Sequence, residues 1–200
     1  MKHFWMRCVY LFTSWGIVGM AYHGSAYLQH EPSLLAPSII DKWIEFTPHA
    51  IWAYLSFFLI IPICFFIAPY KRLGWMSGCF VLSGILAALC YLIFPTTMIY
   101  PVDNGSSISS WLLVKLIEID DPVNCFPSLH VTLTSLAIWG ALNKFHPLRN
   151  IILLLWGMTI VLSIIQLRRH LFIDFIGGIV LALIAGWCVR YGFKRLIKQP

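Results

Sequence analysis

Six stretches of nearly unbroken apolar sequence, at residues 9–28, 49–70, 74–95, 128–143, 150–168 and 171–189, constrain this chain more than any other feature. A helical crossing of a bilayer takes about 20 apolar residues, so six crossings consume about 120. That is the whole hydrophobic content of a chain in which 60% of 200 residues are apolar. Only 11% of residues are charged, under half the share of about 25% that soluble domains carry. The composition argues against a water-soluble globule and excludes an intrinsically disordered chain, which is charge-rich and apolar-poor. The expected fold is therefore all-α: a polytopic membrane protein with six transmembrane helices, in one domain covering residues 1–200.

The net charge of +6 does not point to nucleic acid, because the bases lie in small groups between apolar stretches rather than in one run. They sort by side instead. With the N-terminus inside, Lys2, Arg7, Lys71, Arg72, Lys144, Arg149, Arg190, Lys194, Arg195 and Lys198 lie inside. Lys42, Lys115, Arg168 and Arg169 lie outside, ten against four. The fourth stretch is short for a span, but if it failed to cross, Lys144 and Arg149 would move outside and the sorting would break. The small residues near Gly24–Ala26 give the first stretch a competing reading as a cleaved signal peptide, with the remaining orientation unchanged. Four of the six cysteines fall within apolar stretches and no metal-ligand or CxxC spacing occurs, so neither a disulfide framework nor a metal site is expected.

Two outer segments are too short to span yet carry helical pattern. In 37–46, Ile39, Ile40, Trp43 and Ile44 form an apolar stripe, and Ser38 with Asp41 resembles a capping box. In 109–119, Trp111, Leu112, Lys115 and Glu118 suggest a second interfacial helix. Both are read as a structural belt, with a lid or lipid-entry gate as the alternative.

Ionisable groups inside spans are functional candidates, because hydrocarbon penalises their charge. Two clusters stand out: Asn124-Cys-Phe-Pro-Ser-Leu-His130 at the entry to the fourth stretch, and Arg168-Arg169-His170-Leu-Phe-Ile-Asp174 between the fifth and sixth. At 1.5 Å per residue, a helix from Ser128 to Asn143 descends about 24 Å and one from Asn150 to Arg168 climbs about 28 Å. His130 and His170 thus return to similar depth on the outer side. His170 and Asp174 are four apart and share a helical face, which continues through the small residues Gly178, Ala182 and Gly186. The carboxylate orients one imidazole nitrogen and frees the other for attack. Arginines hold tetrahedral phosphate oxygens in a fork.

These clusters resemble the second and third signature motifs of the type 2 phosphatidic acid phosphatase superfamily. The second motif usually reads Pro-Ser-Gly-His and here is Pro127-Ser128-Leu129-His130. In the third, Ser163, His170 and Asp174 keep the family register, with Ile164 in place of the arginine expected after the serine. The basic residue at Arg168 and the run Phe126-Pro-Ser-Leu-His look more like the inositol phosphorylceramide synthase-like branch than the commoner phosphatases. The first motif, Lys with six residues and then Arg-Pro, has no counterpart; Phe94–Pro101 occupies its place without a base, and Thr96, Thr97 and Tyr100 are candidate hydroxyl donors there.

The resemblance implies a membrane enzyme acting on a phosphorylated lipid, without metal or cofactor. His170, oriented by Asp174, is the expected nucleophile and His130 the acid and base. Arg168, Arg169 and Ser128 are expected to bind the phosphate. Hydrolysis is the expected outcome, with transfer of the phospho head group to an alcohol as the alternative. A proton-coupled transporter is the rival from another class; the clustering of ionisable residues at one face and the lack of visible inverted repeats count against it. The sequence leaves oligomeric state and the identity of the lipid open.

Overall fold

Apolar sequence becomes helix almost throughout: 74% of the chain is helical, with almost no strand. The computed structural model describes residues 2–197, with side chains described for 3–192. Among the ten bases assigned to the inner side, Lys2, Lys194, Arg195 and Lys198 therefore lie outside the described side chains. The helices are α1 (Lys2–Leu28), α2 (Ile39–Trp43), α3 (Ile51–Leu55), α4 (Phe57–Ile67), α5 (Leu73–Ile93), α6 (Ile108–Ile119), α7 (Leu129–Ala141), α8 (Pro147–Gln166) and α9 (Phe172–Ile197). Two-residue strands β1 (Ser33–Leu34) and β2 (Thr96–Thr97) pair in parallel between loops.

Among the described residues, four helical runs are long and apolar enough to cross a bilayer: Pro48–Ile67, Tyr70–Ile93, Pro147–Gln166 and Phe172–Gly192. They mark the chain as a membrane protein. The other two expected spans differ from these for separate reasons. α1 is long, but Arg7, Ser14, His23 and Ser25 interrupt its apolarity; it packs along α5, where Gly84 lets Val18 approach closely. α7 has only 13 residues, about 20 Å of rise against a hydrocarbon core of about 30 Å. Ten of those 13 are buried, because α7 runs inside the bundle against α4, α5, α8 and α9.

The expected antiparallel pairing of α7 and α8 is present. Asn143 and Asn150 tie the turn reciprocally: Asn143 N–H donates to Asn150 Oδ1 at 3.1 Å, and Asn150 Nδ2 to the Asn143 carbonyl at 2.9 Å. Arg72 and Arg149 donate to carbonyls at the end of α7, which carries the negative end of its helix dipole.

The contact of α7 with α9 is closer still. Ser128 N–H donates to the Asp174 carbonyl at 3.1 Å, and Thr132 Oγ1 to the Gly178 carbonyl at 2.9 Å. The small-residue face foreseen on α9 makes this possible: Gly178 faces Ser128 and Val131, and Gly186 faces the Trp139 ring.

Both short outer helices form. α2 carries the complete Ser38/Asp41 capping box, and its acidic residue packs against the bundle. Asp41 turns inward, fully buried, and its Oδ1 accepts the Phe172 N–H at 2.7 Å. It thereby caps an otherwise unpaired donor at the start of α9. Ile39 and Trp43 are left exposed.

A Cβ at Gly178 would stand 2.6 Å from the Ser128 carbonyl oxygen and 2.8 Å from Val131 Cβ. Gly178→Ala should cost about 1–3 kcal/mol through overpacking. Gly16→Ala, on an α1 face with nothing within 4 Å, should be neutral or stabilising by up to about 1 kcal/mol. Thermal unfolding of the detergent-solubilised protein tests the contrast; equal melting temperatures would contradict it.

Candidate active site

The local chain path delivers both histidines to one place. α8 ends in a Schellman arrangement: Arg168 N–H donates to the Ile165 carbonyl and Arg169 N–H to the Ile164 carbonyl, each at 3.0 Å. Arg168 takes the left-handed position with φ 52°, one that glycine or asparagine fills at low cost and a long side chain fills with strain. The reversal turns His170 back toward α7. His130 is the second residue of α7, reached through a cis Phe126–Pro127 peptide. Tyr91 steadies that entry by donating its hydroxyl to the Pro127 carbonyl at 2.7 Å. Asn124, at φ 65° and buried, anchors the preceding loop to α1 by donating Nδ2 to the Tyr22 carbonyl at 2.9 Å.

The imidazoles of His130 and His170 lie 6.0 Å apart between centroids, at 62°. Tyr54 and Phe57 flank His130, with ring centroids at 4.9 and 4.7 Å. His170 lies in the bend before α9 rather than on the helix, yet its Nδ1 stands 3.4 Å from Asp174 Oδ2. That is an ion-pair distance, longer than a firm N–H···O bond. The same Oδ2 accepts the Leu171 N–H at 2.8 Å, which fixes the carboxylate at the start of α9. Both histidines line one cavity of about 220 Å³ between α1, α4, α6 and α7, walled by Trp15, Phe57 and Phe58.

The arginines sit differently from the expected phosphate fork. Arg169, nearly buried, donates Nη2 to Asp120 Oδ2 at 2.7 Å and lies over the Tyr100 ring at 4.7 Å. Burial opposes its charge, but the Asp120 carboxylate outweighs burial and moves the guanidinium pKa upward. Arg168 donates Nη2 to the Ile44 carbonyl at 2.6 Å, at the end of α2. Ser128 is buried at the start of α7, and its hydroxyl does not cap the helix. Ser163 is committed within α8, donating to the Ile160 carbonyl.

The candidate donors in 96–100 are committed elsewhere. Thr97 and Tyr100 both donate to the Pro122 carbonyl, and Thr96 Oγ1 accepts the Phe126 N–H. They brace the loop carrying the Pro-Ser-Leu-His motif. Burial pushes the neighbouring Cys125 thiol up to about 12, so it stays neutral.

Five residues of the two motifs hold buried polar atoms without a hydrogen-bond partner among the described residues: Ser128 Oγ, Arg168 Nη1, Arg169 Nε, His170 Nδ1 and Asp174 Oδ1. Buried polar groups are paired in the great majority of cases, so this concentration is unusual.

Sequence reasoning missed Asp120 as a site residue. It lines the histidine cavity, accepts from Arg169, and accepts the Tyr22 hydroxyl at 3.1 Å. Its signal in the sequence is the acidic group Glu118, Asp120 and Asp121 between the third and fourth apolar stretches. His23, in the first apolar stretch, is exposed and paired with Asp121 at 2.8 Å.

Comparisons with curated proteins and with solved structures each return no significant match. The sequence profile described as the PAP2 superfamily matches residues 20–188, a span that holds both histidine motifs and the whole of α2 to α8. Its members are phosphatases and phosphotransferases, which makes this chain an enzyme of phosphate transfer chemistry. One imidazole at the start of α7 and another in the bend before α9, beside a carboxylate one turn on, are thus set within a chain that belongs to the PAP2 superfamily.

Proposed function

We propose that this protein is a membrane lipid-phosphate phosphatase working through a phosphohistidine. The observation that carries the reading is the 6.0 Å approach of two imidazoles, one from α7 and one from the bend before α9, on one apolar cavity. Reacting atoms approach to about 3–3.5 Å before bond formation, and both rings border the one cavity in which a phosphoryl group would sit. Asp174 faces Nδ1 of His170, which leaves Nε2 as the attacking atom. A P–N bond forms as the P–O bond to the lipid breaks, and protonated His130 gives its proton to the leaving oxygen. His130 then takes a proton from water, the water oxygen attacks phosphorus, and the P–N bond breaks to release phosphate and free His170.

Arg169, with Arg168 and Ser128, supplies the electrostatic side of this chemistry, and the reaction needs no metal or cofactor. Arg169 reaches phosphate by sharing its guanidinium with Asp120 or by exchanging partners.

Six helices cross the bilayer in this reading, with both termini cytoplasmic and the histidines at the opposite face. Arg72, Lys144, Arg149 and Arg190 gather at the far end of the bundle, as the positive-inside rule requires. α2 and α6 lie in the interface, consistent with the exposure of Trp43 and Trp111. The single domain belongs to the inositol phosphorylceramide synthase-like branch, on the strength of Phe126-Pro-Ser-Leu-His and Arg168.

A panel of labelled lipid phosphates with purified protein tests this directly. Wild type should release free phosphate in the presence of chelators; a labelled new lipid would instead identify a transferase. His170→Ala should abolish turnover in a folded protein, and His130→Ala should lower kcat by about 10²–10⁴-fold. Retained activity in His170→Ala would refute the nucleophile. Asp120→Asn keeps an acceptor for Arg169 while removing a competing anion, and should lower KM severalfold with kcat little changed; a raised KM would contradict the competition.

A further inference from the structure

A second cavity, of about 500 Å³, opens at the end of the bundle away from the histidines, where α7 and α9 end and α5 and α8 begin. Arg72, Lys144 and Arg190 line it beside the indoles of Trp75 and Trp139. The indoles meet edge to face at 5.2 Å, and Trp75 Nε1 donates to the Gly186 carbonyl at 3.0 Å. Arg72 is held in place by donating Nη1 to the Leu142 carbonyl at 2.6 Å and to the Gly140 carbonyl at 3.3 Å. Lys144 lies over the Phe145 ring at 5.0 Å.

The chain has no acidic side chain available for these three cations. Its eight aspartates and glutamates fall in 31–45, in 103–121 and at Asp174 in the first turn of α9, all at the histidine end. Among the described residues nothing supplies a counter-charge to the cavity, which suits it to an anionic ligand. Basic pockets between membrane helices recognise anionic lipid head groups through the same combination of guanidinium, ammonium and interfacial indole.

What distinguishes a lipid from a free anion is the surface leading away from the cavity. An apolar groove of about 550 Å³ runs between α7, α8 and α9 toward Ile40 and Phe172. Trp139 and Leu142 line both the groove and the basic cavity, so the two are continuous. Gly157 lets the Ile138 side chain of α7 pack closely against α8 in the groove, and Met158 and Leu162 on its rim are exposed. A charged cavity joined to a membrane-facing apolar groove has the shape and polarity of a whole phospholipid.

We propose that the basic cavity binds the phosphodiester head group of an anionic phospholipid whose acyl chain occupies the groove between α7, α8 and α9. The site is separate from the histidines and does not depend on the reaction assigned to them. The lipid clasps the α7–α8 hairpin from the end opposite the one where its helices deliver His130 and His170.

The full chain, purified in a neutral detergent, is titrated with phosphatidylglycerol, with phosphatidylcholine or with inorganic phosphate. Retained lipid is read by native mass spectrometry and stability by thermal unfolding. Phosphatidylglycerol should be retained with one more molecule per protein than phosphatidylcholine and should raise the melting temperature. Any shift with inorganic phosphate should be the same in wild type and in the Lys144→Gln/Arg190→Gln double variant, because it does not arise at the basic cavity. The double variant, altered only at exposed positions, should weaken phosphatidylglycerol retention by about thirtyfold. Equal retention of both lipids, or phosphatidylglycerol retention untouched by the double variant, would overturn the proposal. A shift with inorganic phosphate equal to that with phosphatidylglycerol, and lost in the double variant, would reduce the cavity to a free-anion site and overturn the lipid assignment.

Discussion

The close approach of α7 and α9 is the constraint from which the rest of the arrangement follows. Because Gly178 has no side chain, the Ser128 backbone can rest against α9, where Ser128 N–H and Thr132 Oγ1 bond to carbonyls of the Asp174–Gly178 turn. One contact therefore sets the depth of His130 relative to Asp174, and through Asp174 relative to His170. α7 affords its short length because it is enclosed by neighbouring helices and never has to present a full apolar surface to lipid. The polar groups it carries, Ser128, Thr132 and Thr134, all lie within protein.

Charge is distributed along the bundle with the same economy. Every acidic side chain belongs to the histidine end, where two are spent on structure: Asp41 caps α9, and Asp120 neutralises Arg169. Arginines at the opposite end secure the carbonyls that close α7. Removing one member of such a buried pair leaves its partner unsatisfied, which costs more than the pair contributes when intact. Asp41 and Arg169 are therefore positions where substitution would disturb the fold and the site together.

The helices were legible in the sequence because apolar stretches have few alternatives to helix in a bilayer, and because Ser38 with Asp41 is a local capping signal. The meeting of His130 and His170 was legible too, since helix rise and a short turn determine where a returning helix ends. Side-chain partners were not. Nothing local tells Asp41 to turn inward, since the donor it caps, Phe172 N–H, lies 131 residues away. The Arg169–Asp120 pair is likewise set by the docking of α6 and its following loop. The hydroxyls of Thr97 and Tyr100 were open to a ligand role until the Pro122 carbonyl was seen to claim them. Arg168 in the left-handed position carried no signal either, because that position is ordinarily announced by glycine or asparagine.

The central claim is that His170 carries the phosphoryl group between lipid and water. Rapid quenching of purified enzyme with a phosphate-labelled lipid, followed by peptide mapping under alkaline conditions that preserve phosphohistidine, measures this directly. Acid-labile, base-stable label should appear on the peptide containing His170 and be absent from His170→Ala. Label on another residue, or full turnover with no covalent label in any quenched sample, would contradict it.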